Sequence, residues 1–166
     1  MRKLLVLFSI ALSINLFSQD AEAVLKQGDI LSNKEKYDEA IVKYTEAIKL
    51  DKEMMNAYLQ RAYAYLRLKD YNNAIKDYTS VISLNPENTF AYLSRGSAYN
   101  KLKKFNKAMV DFDKVLEINP EDQEGYNNRG WAKKGLGDKK GACKDWKKSK
   151  KLGNREAKII YKNNGC

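Results

Sequence analysis

The chain has 166 residues, of which 31 are lysine or arginine and 21 are aspartate or glutamate, so its formal net charge is +10, and it contains no histidine. The lack of histidine excludes Ser-His and Cys-His nucleophile systems, imidazole general bases and histidine-containing zinc sites. With 43% hydrophobic residues, nine glycines and two prolines, the composition favours a folded globular chain over a disordered or turn-rich one.

The N-terminus carries a segment typical of export. Arg2 and Lys3 precede an apolar run over residues 4–17, which polar residues follow. This pattern predicts a secretory signal peptide over residues 1–18, with the motif Ala21–Ala23 as an alternative cleavage point. The run is shorter than the ~20 apolar residues of a membrane-spanning helix, so a permanent anchor is the less favoured alternative. We therefore expect an exported protein, either periplasmic or secreted.

A fixed internal period organises the rest of the chain. Shifted by 34 positions, Ala57-Tyr58-Leu59 aligns with Ala91-Tyr92-Leu93, and Asn85-Pro86-Glu87 aligns with Asn119-Pro120-Glu121. A period of this size is typical of stacked solenoid units. The sequence predicts four units and a closing segment, at residues 21–54, 55–88, 89–122, 123–154 and 155–166.

Each unit has the apolar spacing of two helices. In the third unit Tyr92, Ala98 and Leu102 share one helical face, and after a short turn Ala108 and Phe112 resume the pattern. Asn-Pro pairs end the second helix of the two middle units, because the residue before proline disfavours the α conformation. The predicted fold is all-α, an α-solenoid of antiparallel helix pairs.

Three positions hold in all four units: a small residue in the first helix, an alanine in the second, and an aromatic residue four positions later. They are Gly28, Ala62, Gly96 and Gly130; Ala40, Ala74, Ala108 and Ala142; and Tyr44, Tyr78, Phe112 and Trp146. This pattern resembles the tetratricopeptide repeat family. Small residues suit positions where paired helices approach closely and an aromatic ring fills the adjacent space. The outer units depart from the family pattern, since Leu31 and Lys133 replace its usual tyrosine.

An arginine and an aspartate recur at one fixed spacing in three units, and the first unit has Gln27 and Lys43 instead. Their joint presence and joint replacement predict partly buried structural ion pairs. A row of arginines that binds an anionic ligand is the alternative, and it is less favoured because an unpaired buried arginine is costly. The predicted pairs are Arg61 with Asp77, Arg95 with Asp111, and Arg129 with Asp145.

The closing segment has Ala157, Ile160 and Tyr161 at helical spacing, which predicts a C-terminal capping helix. The two cysteines of the chain are Cys143 and Cys166. In an exported protein an even pair favours a disulfide, here between the last repeat and the closing segment. A metal or redox role is less favoured, because there is no histidine and no C-x-x-C spacing.

The family resemblance implies that the first helices line a concave groove that binds peptide segments. Tyr63 and Trp131 are the strongest candidates there, because aromatic groove residues are typical interface hot spots; packing between neighbouring first helices is their alternative role. The family's clamp for acidic C-terminal peptides is not expected, since Leu25 and Asp29 stand where its lysine and asparagine begin. The candidate groove residues are Leu59, Tyr63, Leu66, Leu93, Asn100, Asn127, Trp131 and Lys134.

The positive charge lies at one end of the chain. Residues 123–166 have 13 Lys and Arg against 4 Asp and Glu, a balance of +9, whereas residues 19–122 have a balance of −1. The basic end could face an anionic envelope surface; a solvated face that prevents end-to-end stacking is the alternative. The candidate patch comprises Lys139, Lys140, Lys144, Lys147, Lys148, Lys150 and Lys151.

We therefore expect a non-catalytic interaction module that binds a protein or peptide in its groove and needs no cofactor or metal. A peripheral binder of anionic envelope surfaces through the basic C-terminal end is the alternative function. Nucleic acid is not an expected partner, because export disfavours it and the sequence contains no base-reading module. An enzyme is not expected either, since the sequence carries no nucleophile, phosphate-binding or metal constellation.

Overall fold

The computed structural model describes residues 20–166, and every regular element within this range is an α-helix. The predicted signal peptide at residues 1–18 lies outside the described residues. No helix in the described range is long and apolar enough to cross a membrane. The helices are α1 (residues 20–33), α2 (Tyr37–Leu50), α3 (Met55–Arg67), α4 (Tyr71–Leu84), α5 (Thr89–Lys101), α6 (Phe105–Ile118), α7 (Gln123–Gly135), α8 (Lys139–Lys151) and α9 (Arg155–Asn163).

Within each unit short turns connect consecutive helices, so neighbouring helices such as α2 and α3, or α5 and α6, pack antiparallel. This confirms the predicted all-α helical-repeat fold. The chain divides into two compact units, one ending at Asp70 and one comprising Tyr71–Cys166. The predicted repeat boundaries remain predictions.

The core of the first unit forms around Tyr44, whose ring is fully buried among alanines of α2 and α3. A Cβ atom on Gly28 would lie 2.5 Å from Cε1 of this ring, so α1 and α2 can approach closely only because residue 28 is glycine. The Tyr44 hydroxyl donates a hydrogen bond to Asp29 Oδ1 at 3.0 Å. Burial raises the pKa of Tyr44 above its ordinary value.

The same arrangement recurs twice in the second unit. A Cβ atom on Gly96 would lie 2.7 Å from Cε1 of Phe112, and one on Gly130 would lie 2.5 Å from Nε1 of Trp146. Both rings are almost completely buried. The close helix approach expected at the small residues is therefore present in both units.

Side-chain caps begin four of the helices. An Asn or Asp side chain accepts a hydrogen bond from the backbone N–H three residues later, at 2.7–2.9 Å, which satisfies a donor that the helix leaves free. α6 ends at Ile118, where Asn119 is extended (φ −130°) before Pro120, as the Asn-Pro pattern predicts. The capping residues are Asn88, Asp122, Asp138 and Asn154.

The turns within helix pairs share one left-handed residue. Its φ is 59° at Glu35, 61° at Lys69, 57° at Lys103 and 86° at Gly137, and these four positions are related by the repeat period. Only the last is a glycine, the residue for which this conformation carries no steric cost. At this position the left-handed backbone conformation recurs in every unit, whereas the residue type does not.

Candidate peptide-binding groove

A groove of about 630 Å³ lies in the Tyr71–Cys166 unit. Its walls come from α5 and α7, with contributions from the start of α6 and from α9. Uncharged side chains from α5, α6 and α7 line it, together with one carboxylate from α9 and two lysines that are described below. Apart from the lysines, these side chains belong to Ser97, Asn100, Phe105, Asn128, Trp131 and Glu156.

Trp131 forms the aromatic wall of the groove. Its side chain is 37% exposed, and its ring packs edge-on against the buried ring of Trp146, with centroids 5.3 Å apart. The Trp146 indole donates to the backbone oxygen of Asn127 at 3.2 Å, which fixes its orientation. One side of Trp131 is therefore held by the core while the other faces the groove.

Two lysines make the groove locally positive. Lys101 and Lys134 line it, and Lys134 Nζ lies 5.1 Å from the centroid of the Trp131 ring, a cation–π geometry. The same ammonium group donates to Asn164 Oδ1 at 2.6 Å. Lys134 thus connects the groove wall to the C-terminal segment.

Asn100 presents an acceptor with no partner among the described residues. Its Nδ2 donates to the backbone oxygen of Asn128 at 3.1 Å, whereas its Oδ1 is buried without a hydrogen bond. A buried acceptor without a donor is energetically costly. A ligand N–H that reached this oxygen would remove that cost.

Phe105 and Gly135 form a contact that the sequence pattern did not predict. A Cβ atom on Gly135 would overlap the Phe105 ring, so the ring rests directly on the backbone of α7 beside the groove. The repeat period could have indicated this position. Tyr37 and Tyr71 stand at the equivalent positions of the two preceding units, so an aromatic residue begins the second helix in each of the three units.

Two predicted groove residues, Asn127 and Leu93, are not among the residues that line this groove. Asn127 is only 4% exposed, because α9 covers it and its Nδ2 donates to Glu156 Oε2 at 3.1 Å. Leu93 is half-buried and packs against the core around Phe112 instead of lining the groove. Of the candidates in this unit, the structure places Asn100, Trp131 and Lys134 at the groove.

The three candidates of the first unit lie on α3. Leu59 and Leu66 are half-buried, and Tyr63 is 42% exposed. The Tyr63 ring meets Tyr37 edge-on at 6.4 Å, and its hydroxyl accepts a hydrogen bond from Arg67 Nη1 at 2.9 Å. This hydrogen bond is the main cause that raises the pKa of Arg67. Tyr63 is therefore both accessible and fixed in place.

Arg95 and Arg129 each form an ion pair with a buried carboxylate. Arg95 donates to both oxygens of Asp111 at 3.0 and 2.7 Å, and Arg129 to both oxygens of Asp145 at 2.8 and 2.9 Å. Lys133 adds a second cation 2.8 Å from Asp145. Hydrogen bonding to Asp145 is the main cause that raises the pKa of Arg129. These contacts favour the structural role over an anion-binding row.

Each arginine also donates to the residue 16 positions earlier. Arg61 Nη1 reaches Thr45 Oγ1 at 2.8 Å, and Arg95 Nη1 reaches Thr79 Oγ1 at 3.0 Å. Arg129 Nη1 reaches Asp113 Oδ1 at 2.7 Å. The pairing of Arg61 with Asp77 remains a prediction.

The two cysteines lie at disulfide-bonding distance, as the predicted bond between them requires. Cys143 lies on α8 and Cys166 ends the chain, with their Cα atoms 5.5 Å apart. The bond holds α9 against α8, where Ile160 packs on Trp146. Because α9 carries Glu156 into the groove wall, the disulfide helps to shape the candidate site.

The seven predicted patch lysines are all exposed, and their surroundings differ. Lys148 Nζ lies 5.9 Å from the ring centroid of Tyr126, and Lys150 Nζ lies 4.7 Å from that of Tyr161. Lys139 stands beside Cys143 at a smaller pocket. Four of the seven, Lys140, Lys144, Lys147 and Lys151, form a row on one face of α8. The seven-lysine patch itself remains a prediction.

Within residues 20–166, no group of three or more cysteine, aspartate or glutamate side chains is placed to hold a metal ion.

Comparisons with known proteins agree with this geometry. The family model described as tetratricopeptide repeat matches residues 56–88 and 90–122, and a second model, described as TPR repeat, matches residues 28–69. Together these matches cover more than half of the chain. No curated protein matches it.

Several solved structures share the fold. The first TPR of Spaghetti (RPAP3), bound to the HSP90 peptide SRMEEVD, is 34% identical over 72% of this chain and 95% of that one, with a TM-score of 0.68. A crystal structure of MamA is 26% identical over 83% of this chain and 81% of that one, with a TM-score of 0.76. The Arabidopsis OM64 TPR domain is 28% identical over 71% of this chain and 98% of that one, with a TM-score of 0.66. By these matches the chain belongs to the tetratricopeptide repeat family.

Proposed function

We propose that the chain is a non-catalytic interaction module that binds an extended protein or peptide segment in the groove of the Tyr71–Cys166 unit. The observation that carries this proposal is Trp131, an accessible aromatic ring held by the core in a groove of about 630 Å³. Rigid aromatic residues in such positions are typical hot spots of binding. The peptide bound to the first TPR of Spaghetti supports this use of the fold.

The groove favours a ligand with one apolar side chain and a free backbone N–H. The apolar side chain would pack on Trp131, and the N–H would donate to the unpartnered Oδ1 of Asn100. An extended segment presents both groups at short spacing. Lys101 and Lys134 favour a neutral or acidic segment over a basic one.

A clamp for acidic C-terminal peptides is not part of the proposal. Leu25 is buried in the core of the first unit, and Asp29 accepts a hydrogen bond from Tyr44. Neither residue offers the cation or the free amide that such a clamp uses.

Export is part of the proposal. The basic and apolar segment over residues 2–17 supports it, and a disulfide between Cys143 and Cys166 is typical of an oxidising compartment. An intact-mass measurement on protein released from the cells tests it, since the mature chain should lack residues 1–18. Retention of those residues would contradict export by a cleaved signal.

Selection from a library of short random peptides tests the groove. Peptides enriched on the wild-type protein should lose about tenfold or more in affinity when Trp131→Ala removes the aromatic contact. Because Trp131 also packs on Trp146, Ser97→Gln provides a second variant that narrows the groove from α5. Circular dichroism should show unchanged helicity in both variants.

The matched control is Val110→Ala, which truncates a side chain that is 68% exposed on α6 and does not line the groove. It should bind the selected peptides like the wild type. Groove binding should also survive moderate salt, because most of its contacts are uncharged. Peptides that bind all variants equally would overturn the proposal.

A further inference from the structure

The outer face of α8 carries a row of four lysines. Lys140, Lys144, Lys147 and Lys151 follow one another at helical spacings of four, three and four, so they share one face, and all four are exposed. The opposite face packs into the core through Trp146 and its neighbours. The row extends about 16 Å along the helix.

The helical repeat does not require these lysines. At the same register one repeat earlier, on α6, stand Asn106, Val110, Asp113 and Glu117, and two repeats earlier, on α4, stand Asn72, Lys76, Thr79 and Ser83. The fold therefore accepts neutral, apolar and acidic side chains at these positions. The uniform positive charge is particular to α8.

No carboxylate neutralises the row. The single acidic residue of α8 is Asp145, which is buried and already paired with Arg129 and Lys133. Among the described residues, no ion pair joins any of the four lysines to a carboxylate within 4.0 Å. Their charge is directed to solvent and is available to a partner.

We propose that this lysine row is a second binding surface, distinct from the groove, that holds the protein on an anionic lipid bilayer. A straight row on a convex helix matches an extended flat surface. The four lysines do not line the candidate groove or the two smaller pockets beside Cys143 and Cys166, and an open row does not surround a small anion. Lysine is a strongly hydrated point charge, suited to diffuse attraction by headgroups, whereas arginine is preferred for bidentate phosphate recognition.

The expected strength follows from the number of charges. Each lysine near an anionic membrane contributes about a five-fold factor in partitioning at low salt. The four together contribute a factor on the order of several hundred. The interaction should weaken steeply as added salt screens the charges.

Vesicle co-sedimentation of the full chain tests the proposal. The probes are vesicles of phosphatidylcholine with about 30% phosphatidylglycerol, an ordinary anionic content, and vesicles of pure phosphatidylcholine. The wild type should prefer the anionic vesicles. The variant with Lys140→Gln, Lys144→Gln, Lys147→Gln and Lys151→Gln should lose most of that preference, at unchanged helicity and unchanged binding of groove peptides.

A charge-matched control separates the lysine row from net charge. It replaces four exposed lysines of the first unit by glutamine, namely Lys26, Lys34, Lys49 and Lys52. Both the control and the test variant retain the apolar residues 4–17. Any vesicle binding through these residues is therefore the same in both variants and cancels when the two are compared. This control should keep nearly all of the preference for anionic vesicles.

Three results would overturn the proposal. The first is a wild type that binds both vesicle types equally, and the second is an equal loss in the test and control variants. The third is no vesicle binding together with row-dependent binding of heparin or DNA, which would assign the row to a soluble polyanion. Loss of groove binding in Trp131→Ala leaves vesicle binding unchanged, so the two proposals fail independently.

Discussion

Arg129 donates hydrogen bonds to both carboxylate oxygens of Asp145, from Nε at 2.8 Å and from Nη2 at 2.9 Å. Lys133 lies 2.8 Å from the same carboxylate, and the Asp145 side chain is only 6% exposed. Asp145→Ala would leave two cations without their shared counter-charge. We expect it to lower the free energy of unfolding by about 3 kcal/mol, measured by urea denaturation at neutral pH.

Asp113→Ala is the matched control for this change. Asp113 also accepts a hydrogen bond from Arg129, at 2.7 Å, but its side chain is 55% exposed. Solvent screens an exposed ion pair, so this loss should stay below about 1 kcal/mol. Equal losses in the two variants would show that burial does not decide the strength of these pairs.

The sequence predicted Arg129 with Asp145 because both residue types recur together at one fixed spacing and are replaced together in the first unit. It did not predict the hydrogen bond that each arginine donates to the residue 16 positions earlier, because that acceptor changes from Thr45 and Thr79 to Asp113. At this position the hydrogen bond recurs for each arginine, although the residue type of its acceptor changes. A pattern of residue types therefore predicts the fold better than its polar contacts.

The lining of the groove was likewise only partly predictable from the repeat pattern. Asn127 occupies a groove position by repeat register, yet α9 covers it through Glu156. α9 follows the last full repeat, so no periodic comparison predicts which groove position it covers. Phe105 was missed for a different reason, since it belongs to a second helix while the prediction considered only first helices.

Gly96→Ala tests the close approach of α5 and α6. The added methyl group would lie 2.7 Å from the Phe112 ring, which is buried and cannot move aside without cost. Overpacking of this kind should lower the free energy of unfolding by about 1–3 kcal/mol. The double variant Gly96→Ala, Phe112→Leu should recover part of the loss in the same denaturation experiment.

The neighbouring change Ser97→Ala controls for helix propensity at this point of α5. It removes a hydroxyl that bonds only to the backbone oxygen of Leu93, and we expect a change within about 0.5 kcal/mol. If Gly96→Ala is as harmless as Ser97→Ala, the glycine is not required by packing.

Lys103→Gly should stabilise the protein. Lys103 has φ 57° in the turn between α5 and α6, a left-handed conformation that costs a side-chain-bearing residue about 1 kcal/mol. Gly137, at φ 86°, occupies the equivalent turn without that cost. The reverse change, Gly137→Lys, should destabilise by a similar amount in thermal denaturation. Changes of the same sign in both variants would contradict this explanation.

Tyr44 should make stability fall at alkaline pH. Burial raises its pKa in the folded state, whereas a tyrosine in the unfolded chain has a pKa of about 10. Below that pH both states are neutral and the stabilisation is complete; above it the unfolded state releases the proton first, so unfolding becomes easier. Tyr44→Phe should therefore lose less stability than the wild type between about pH 9.5 and 11.5. Parallel curves of unfolding free energy against pH would count against this role.

The disulfide should stabilise α9 more than any other helix. It joins Cys143 on α8 to Cys166 just beyond α9, a separation of 23 residues, and closing a loop of that size is worth about 3 kcal/mol in the chain-entropy model. In Cys143→Ser with Cys166→Ser, or after reduction, we expect faster amide hydrogen exchange in α9 and weaker groove-peptide binding, because Glu156 is less firmly held. Exchange in α5 and α6 should change little, which serves as the internal control. Two cysteines that alkylate freely in the protein before any reduction would refute the bond itself.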